Sequence, residues 1–198
     1  MILYKKDCDG FRQEIADPIL NNSVVLCGSF NPLHEGHLQL MHQAQLHSGK
    51  NQIIYEISAL NIDKGEIDEK SINDRIEQFD KPDMNVLVTK EPYFYKKALM
   101  IPNSAFVVGY DTYIRLIDIK YYMYSIQELE RVLSIFKNTG TSILVAGRLN
   151  QSTNLFEYLD ELSIRSVSEQ YRDIFQPIKE FRVDISSTEL RKLKVYDQ

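Results

Sequence analysis

The chain contains no tryptophan and only two cysteines, Cys8 and Cys27, in 198 residues. Two thiols make no disulfide framework, and Cys27 falls in a stretch that reads as a buried strand. A reducing interior, cytoplasmic or nuclear, is therefore expected. No apolar run approaches the roughly 20 residues of a membrane helix. Residues 1–7 show no signal-peptide apolar core, so no membrane partner is expected. Positive charge is in deficit: 23 Lys and Arg against 28 Asp and Glu leave a net charge of −5. A broad nucleic-acid surface needs a basic stripe, so nucleic acid is not an expected partner. A small phosphorylated ligand needs only a few N–H groups and one or two cations. Two phosphate-binding signatures are also missing, Gly-x-x-x-x-Gly-Lys-Ser/Thr and Gly-x-Gly-x-x-Gly. His34, His37, His42 and His47 find no carboxylate or cysteine to complete a metal site, and His37 and His42 point to different helix faces. No metal held by protein side chains is expected.

What is present is an alternation of strands and helices. Short runs rich in β-branched residues lie at 23–27, 52–57, 85–89, 104–108 and 142–146, and residues 181–183 form a weaker sixth. Helical patterns lie between them at 36–47, 71–79, 93–100, 109–117 and 125–138, with a last helix over 186–195. Ser71 and Ser125 stand at N-terminal positions, and Gly49 and Gly140 at stops. Residues 10–20, with Phe11, Ile15, Ile19 and Leu20, predict an amphipathic helix in an N-terminal extension over 1–22. Such alternation predicts α/β architecture: a Rossmann-like, doubly wound parallel sheet of five or six strands with helices on both faces, in one domain spanning 1–198. In such a sheet the ligand binds outside the carboxyl ends of the central strands, where strand order reverses. Gly28-Ser29-Phe30 and Gly109-Tyr110-Asp111 each follow a strand directly. If the strands at 23–27 and 104–108 are neighbours, both turns face one crevice. Asp111 is then placed to accept hydrogen bonds from a ribose.

The chain is organised around Gly28-Ser29-Phe30-Asn31-Pro32-Leu33-His34-Glu35-Gly36-His37. It reads as strand end, tight loop and helix start, which places backbone N–H groups and a helix N-terminus where phosphates bind. Gly28 permits close backbone approach and Pro32 fixes one φ angle. His37 shares a helix face with Leu40, Met41 and Ala44. Near the other end, Ile185-Ser186-Ser187-Thr188-Glu189-Leu190-Arg191 opens a helix. Its hydroxyls and free N–H groups can hold a phosphate, with Arg191 on the same face.

The first stretch resembles the Gly-Ser/Thr-Phe-Asn/Asp-Pro-x-His-x-Gly-His signature of the nucleotidylyltransferase superfamily. The second is similar to the Ile-Ser-Ser-Thr-x-Ile/Leu-Arg signature of adenylyl- and cytidylyltransferases. Class I aminoacyl-tRNA synthetases share His-x-Gly-His, but their Lys-Met-Ser-Lys-Ser-like motif is missing here. The resemblance extends from about Val24 to Arg191 and is nearest to nicotinamide mononucleotide adenylyltransferases. It implies transfer of AMP from ATP to a phosphorylated acceptor, most simply nicotinamide mononucleotide giving NAD, with release of pyrophosphate. Another acceptor, or a nucleotide sensor without catalysis, is the alternative. By the same resemblance His37, His34 and Arg191 are catalytic. Gly28, Ser29 and Phe30 hold the acceptor through backbone groups, Gly109 and Asp111 contact ribose or phosphates, and Ser187 and Thr188 hold the β/γ end. Lys64 and Arg148 match a family lysine and arginine. Mg²⁺ is implied as a cofactor bound through the ATP phosphates, and a homo-oligomer is compatible with the family. Family members place tryptophans around the nicotinamide. This chain has none; Tyr93, Phe94 or Tyr95 offer rings to stack in their place, and the same three residues read equally well as helix core.

Overall fold

The structure is a computed structural model that describes residues 1–6, 12–16, 18–61, 65–81, 84–150 and 152–178. The order of elements is β1 (Ile2–Lys6), β2 (Arg12–Ala16), β3 (Ser23–Cys27), α1 (Glu35–Ser48), β4 (Gln52–Ser58), β5 (Leu60–Asn61), β6 (Gly65–Glu66), α2 (Glu69–Ile76), β7 (Asn85–Thr89), α3 (Phe94–Met100), β8 (Ala105–Gly109), α4 (Tyr110–Ile117), α5 (Ile126–Asn138), β9 (Ser142–Ala146), β10 (Arg148–Asn150), β11 (Leu155–Glu157) and β12 (Phe175–Ile178). Short 3-10 turns at Ile119–Tyr122, Ser163–Ser166 and Glu169–Ile174 complete the connections.

One eight-stranded sheet runs β12-β9-β8-β3-β4-β7-β1-β2. From β12 through β7 the neighbours are parallel, and β1 and β2 close the β7 edge antiparallel. Strand β3 lies between β4 and β8, so the chain winds outward from β3 in one direction and then in the other. The order reverses between β3 and β8, as expected for a doubly wound α/β sheet. The central strands are apolar throughout because helices cover both faces. Val24, Val25, Ile54, Leu87, Phe106 and Val107 are all essentially inaccessible. On one face α1 and α2 bury Met41, Ala44 and Ile76 against Val24, Tyr55 and Val107. On the other, α3 and α5 bury Ala98, Leu129, Val132, Leu133 and Phe136 against Val25, Ile54 and Phe106.

Several expectations are corrected. The helix expected over 10–20 is not found among the described residues: Arg12–Ala16 is a strand whose Ile15 lies opposite Leu3. The spacing of Ile15 and Ile19 suits either period, and the open edge of β1, itself paired to β7, decides it. Leu3 is buried and Ile15 packs beside it, whereas Ile19 is 98% exposed. Thus the parallel part has six strands, within the five or six expected, and this hairpin brings the sheet to eight. Helix α2 starts at Glu69 with Asp68 as its cap, not Ser71: Asp68 Oδ1 accepts the Ser71 N–H at 2.8 Å. The sixth parallel strand is Phe175–Ile178 beside β9. Residues 181–183, the last helix, Phe11 and Cys8 lie outside the described residues.

Candidate active site

The register places Gly109 at the carboxyl end of β8, with Gly28 and Arg148 just past the carboxyl ends of its parallel neighbours β3 and β9. The strands that carry the two glycine turns are therefore neighbours, the condition the sequence sets for both turns to share a crevice. Gly28 donates its N–H to the Glu56 carbonyl at 3.0 Å, continuing the β3–β4 ladder by one bond. Glycine is required there by space: a Cβ would stand 2.8 Å from Phe30 Cζ.

Phe30 takes φ of +44° and turns its ring into the core. There it meets Tyr55, Phe79 and His37 edge to face, the last at 5.0 Å between centroids. The ring is wholly buried, so any ligand contact by Phe30 is through its backbone. Helix α2 and the turn that follows it pin this loop from the side. Arg75 Nη1 donates to the Ser29 carbonyl at 3.2 Å, and Gln78 Nε2 to that of Phe30 at 2.9 Å. Gln78 Oε1 accepts the Leu33 N–H at 2.7 Å. Neither Arg75 nor Gln78 carries a sequence motif. Their roles come from how α2 packs.

His34 caps α1 and His37 occupies its first turn. The two imidazoles stack with centroids 3.8 Å apart. His37 Nδ1 accepts the backbone N–H of His34 at 3.3 Å. That leaves the proton of the neutral ring on Nε2, as a donor. Burial, and then the neighbouring His34, lower the His37 pKa to about 4, and burial also lowers that of His34. Both rings are thus neutral donors near pH 7. His34 Nδ1 is buried and finds no hydrogen-bond partner among the described residues, which is unusual for a buried polar atom.

Asp111 lies in the first turn of α4 behind Gly109. Its Oδ2 is 2.6 Å from Arg148 Nη1, and Arg148 Nε reaches Glu157 Oε2 at 3.2 Å. The structure therefore brings two expected nucleotide-binding residues together as an ion pair at the crevice rim. Lys64, Ser187, Thr188 and Arg191 lie outside the described residues.

A cavity of about 730 Å³ opens beside the Gly28 turn, within the range of small-molecule sites. Cys27, Gly28, Ser29 and Asn31 form one wall. Tyr93, Phe94 and Tyr95 of the α3 region, and Tyr121, Tyr122 and Met123 after α4, form others. Arg75, Arg115, Arg131 and Lys97 supply cations, in a chain that is acidic overall. The motifs do not reveal this set, since its members lie on separate helices. At the floor, Lys97 Nζ is 2.7 Å from Glu56 Oε2. Burial works against the Lys97 charge, but the Glu56 carboxylate holds its pKa above the ordinary value. Burial, and the same carboxylate, push the Cys27 thiol well up, so it is no nucleophile. Among the described residues no group of three His, Cys, Asp or Glu could hold a metal ion.

This arrangement presents neutral imidazole donors at a helix N-terminus, a backbone turn at the switch point and a cation-bearing cavity alongside. It suits binding of a phosphate chain next to a second small molecule. A family model described as cytidylyltransferase-like matches residues 25–193. Among curated proteins no similar sequence is found. The fold is similar to that of Plasmodium falciparum nicotinic acid mononucleotide adenylyltransferase complexed with NaAD, at TM-score 0.50 and 14% identity over 87% of this chain and 83% of that one. The same enzyme complexed with APC matches at TM-score 0.46 and 14% identity, with the same coverage of 87% and 83%. The family match begins in β3, takes in both glycine turns and the paired histidines, and runs on through the Ile185–Arg191 motif, so the chain belongs to the cytidylyltransferase-like family of nucleotidylyltransferases.

Proposed function

We propose that this protein transfers AMP from ATP to the phosphate of a pyridine mononucleotide, nicotinamide or nicotinic acid mononucleotide, releasing pyrophosphate. The observation that carries the reading is the continuity of one turn with two sites. Gly28, Ser29 and Asn31 wall the cavity, and the same turn leads directly into the stacked His34 and His37 at the start of α1. The acceptor lies in the cavity and the triphosphate lies over the helix N-terminus, with the turn between them. The aromatic side chains of Tyr93, Phe94 and Tyr95 supply stacking surface where the chain lacks tryptophan. The solved structure of similar fold is named as a nicotinic acid mononucleotide adenylyltransferase, which is why both pyridine nucleotides head the list.

An oxygen of the acceptor phosphate attacks the α-phosphorus of ATP, the bond to the β-phosphate bridging oxygen breaks, and pyrophosphate leaves. The attacking oxygen is already anionic, so no protein base is required. Catalysis rests on alignment and on hydrogen bonds that strengthen as charge spreads over the phosphoryl oxygens. His37 Nε2–H and the His34 ring are the donors in reach of the helix N-terminus. Arg191, Ser187 and Thr188 serve the β/γ end, as the family motif implies. The donor set of imidazoles and backbone N–H groups, with Asp111 engaged by Arg148, fits a metal that arrives on the nucleotide. Mg²⁺ bound by the phosphates and water would supply charge neutralisation there.

The test is pyrophosphate release with ATP, Mg²⁺ and a panel of acceptors including both pyridine mononucleotides and phosphopantetheine. Release with a pyridine mononucleotide, with the dinucleotide formed in equal amount, supports the reading. Release only with another acceptor keeps adenylyl transfer and discards the substrate. ATP binding without release favours a nucleotide sensor.

A further inference from the structure

The cavity floor holds a buried charge that the mechanism above does not use. Lys97, on α3, is 3% exposed, and Glu56, on β4, is 1% exposed. Lys97 Nζ donates to Glu56 Oε2 at 2.7 Å and to Ser58 Oγ at 2.9 Å. Glu56 Oε1 also accepts from Thr89 Oγ1 at 2.6 Å and from Ser58 Oγ at 3.2 Å. The carboxylate is thus well supplied. The ammonium has three N–H donors, of which two are engaged among the described residues, and both side chains line the cavity. Phe94 lies on its flank, with Nζ 5.1 Å from the ring centroid.

A buried ion pair seldom repays its desolvation, and an apolar pair of equal volume holds a core as well or better. Packing therefore gives no reason for this pair, and its place on a cavity wall does. Lys96, one residue earlier, shows the contrast: it is exposed and pairs with Glu91 at 3.5 Å at the surface.

We propose that Lys97 is an acceptor-binding residue, donating its remaining N–H to the exocyclic oxygen of the acceptor's ring. This rests on the adenylyltransferase reading above. A phosphate dianion is the wrong partner, because the Glu56 carboxylate beside Nζ repels it; Arg75, at Ser29, is the cation for that end. A carboxamide or carboxylate oxygen carries less charge or spreads it, and its aromatic ring lies well against Phe94. With its charge offset by Glu56, Lys97 acts as a fixed donor and accepts either oxygen.

The experiment compares wild-type protein with the double variant Lys97→Met/Glu56→Gln, which leaves no unpaired charge behind. Three acceptors are used: nicotinamide mononucleotide, nicotinic acid mononucleotide, and the pyridinium ribotide that lacks the exocyclic oxygen. The expected result is a loss of at least 10-fold in kcat/KM for the first two, carried by KM, with KM for ATP unchanged within twofold. The third acceptor is poor in wild type and unaffected by the substitutions. Retention of kcat/KM within twofold, or equal loss with all three acceptors, overturns the assignment. No transfer by wild type to any acceptor overturns instead the reading on which it rests. A second measurement needs no variant. In the wild-type protein labelled with ¹⁵N-lysine, the slowly exchanging ammonium signal with contacts to Phe94 shifts on adding either mononucleotide but not ATP. An unmoved signal at saturating mononucleotide overturns the proposal.

Discussion

The imidazole of His37 rests on that of His34 at 3.8 Å between centroids, and His37 Nδ1 accepts the His34 backbone N–H at 3.3 Å. One hydrogen bond thereby sets three things: the cap of α1, the tautomer of His37 and the direction of its free N–H. The edge of Phe30, 5.0 Å away, holds the ring from behind.

Replacing His37 with alanine removes that donor, together with the bond it accepts from the His34 N–H and its ring contact with Phe30. Loss of one such donor costs ~3 kcal/mol in the transition state, about a hundredfold in rate. The expected outcome is a kcat lowered by at least that order with the fold retained, measured by steady-state kinetics and circular dichroism on the same preparation. A near-normal kcat removes His37 from the mechanism.

The low pKa of His37 makes stability depend on pH in a stated direction. Its folded value is about 4, below the ordinary value of about 6.5. Between the two the unfolded chain binds the extra proton, so stability is full above about 6.5 and is lost as pH falls toward 4. The loss is roughly 3 kcal/mol when the fall in pH is complete. Urea unfolding at pH 7 and pH 4.5 should show this drop in wild type and a smaller one in His37→Gln. Bound triphosphate favours the imidazolium, so ATP binding should take up protons. Calorimetry in buffers of different ionisation heat measures that uptake directly.

Gly28→Ala tests whether the turn is built by space. The added Cβ would meet the Phe30 ring at 2.8–2.9 Å, and that ring is locked by Tyr55, Phe79 and His37. Overpacking of this kind costs roughly 1–3 kcal/mol. The expected result is a lower Tm together with a fall in kcat/KM for both substrates, because the same ring positions His37. An unchanged Tm would show that Phe30 can give way.

Arg148 and Asp111 meet at the rim with side chains 43% and 52% exposed. Exposed pairs contribute about 1 kcal/mol or less, so Arg148→Met should barely move Tm. If the arginine serves nucleotide, KM for ATP rises severalfold in that variant and KM for the acceptor does not. A variant with both constants unchanged assigns the pair to holding α4 against the β10–β11 hairpin.

Much of this molecule was legible in the sequence, and the legible part has a common cause. The strands at Ser23–Cys27, Gln52–Ser58 and Ser142–Ala146 show as apolar runs because each is buried on both faces. The helix Ile126–Asn138 shows because its Leu129, Val132, Leu133 and Phe136 recur at helical spacing behind the Ser125 cap. The Gly28–His37 turn shows because its ten residues are contiguous. Where the controlling partner was distant in sequence, the reading went astray or fell silent. Residues 12–16 became a strand because β7 and β1 offered an edge, which no local period encodes.

The sequence by itself therefore determined the α/β alternation, the order of the main elements from β3 to β9 and the place of the Gly28–His37 turn, since these depend on local spacing and contiguous motifs. Only the tertiary structure decided that Phe30 is a core ring behind His37, that Arg148 holds Asp111, that Arg75 and Gln78 pin the turn, and that Lys97 and Glu56 meet at the cavity floor 41 residues apart. Those contacts join side chains from different elements, and their energy exists only once the sheet has brought the elements together.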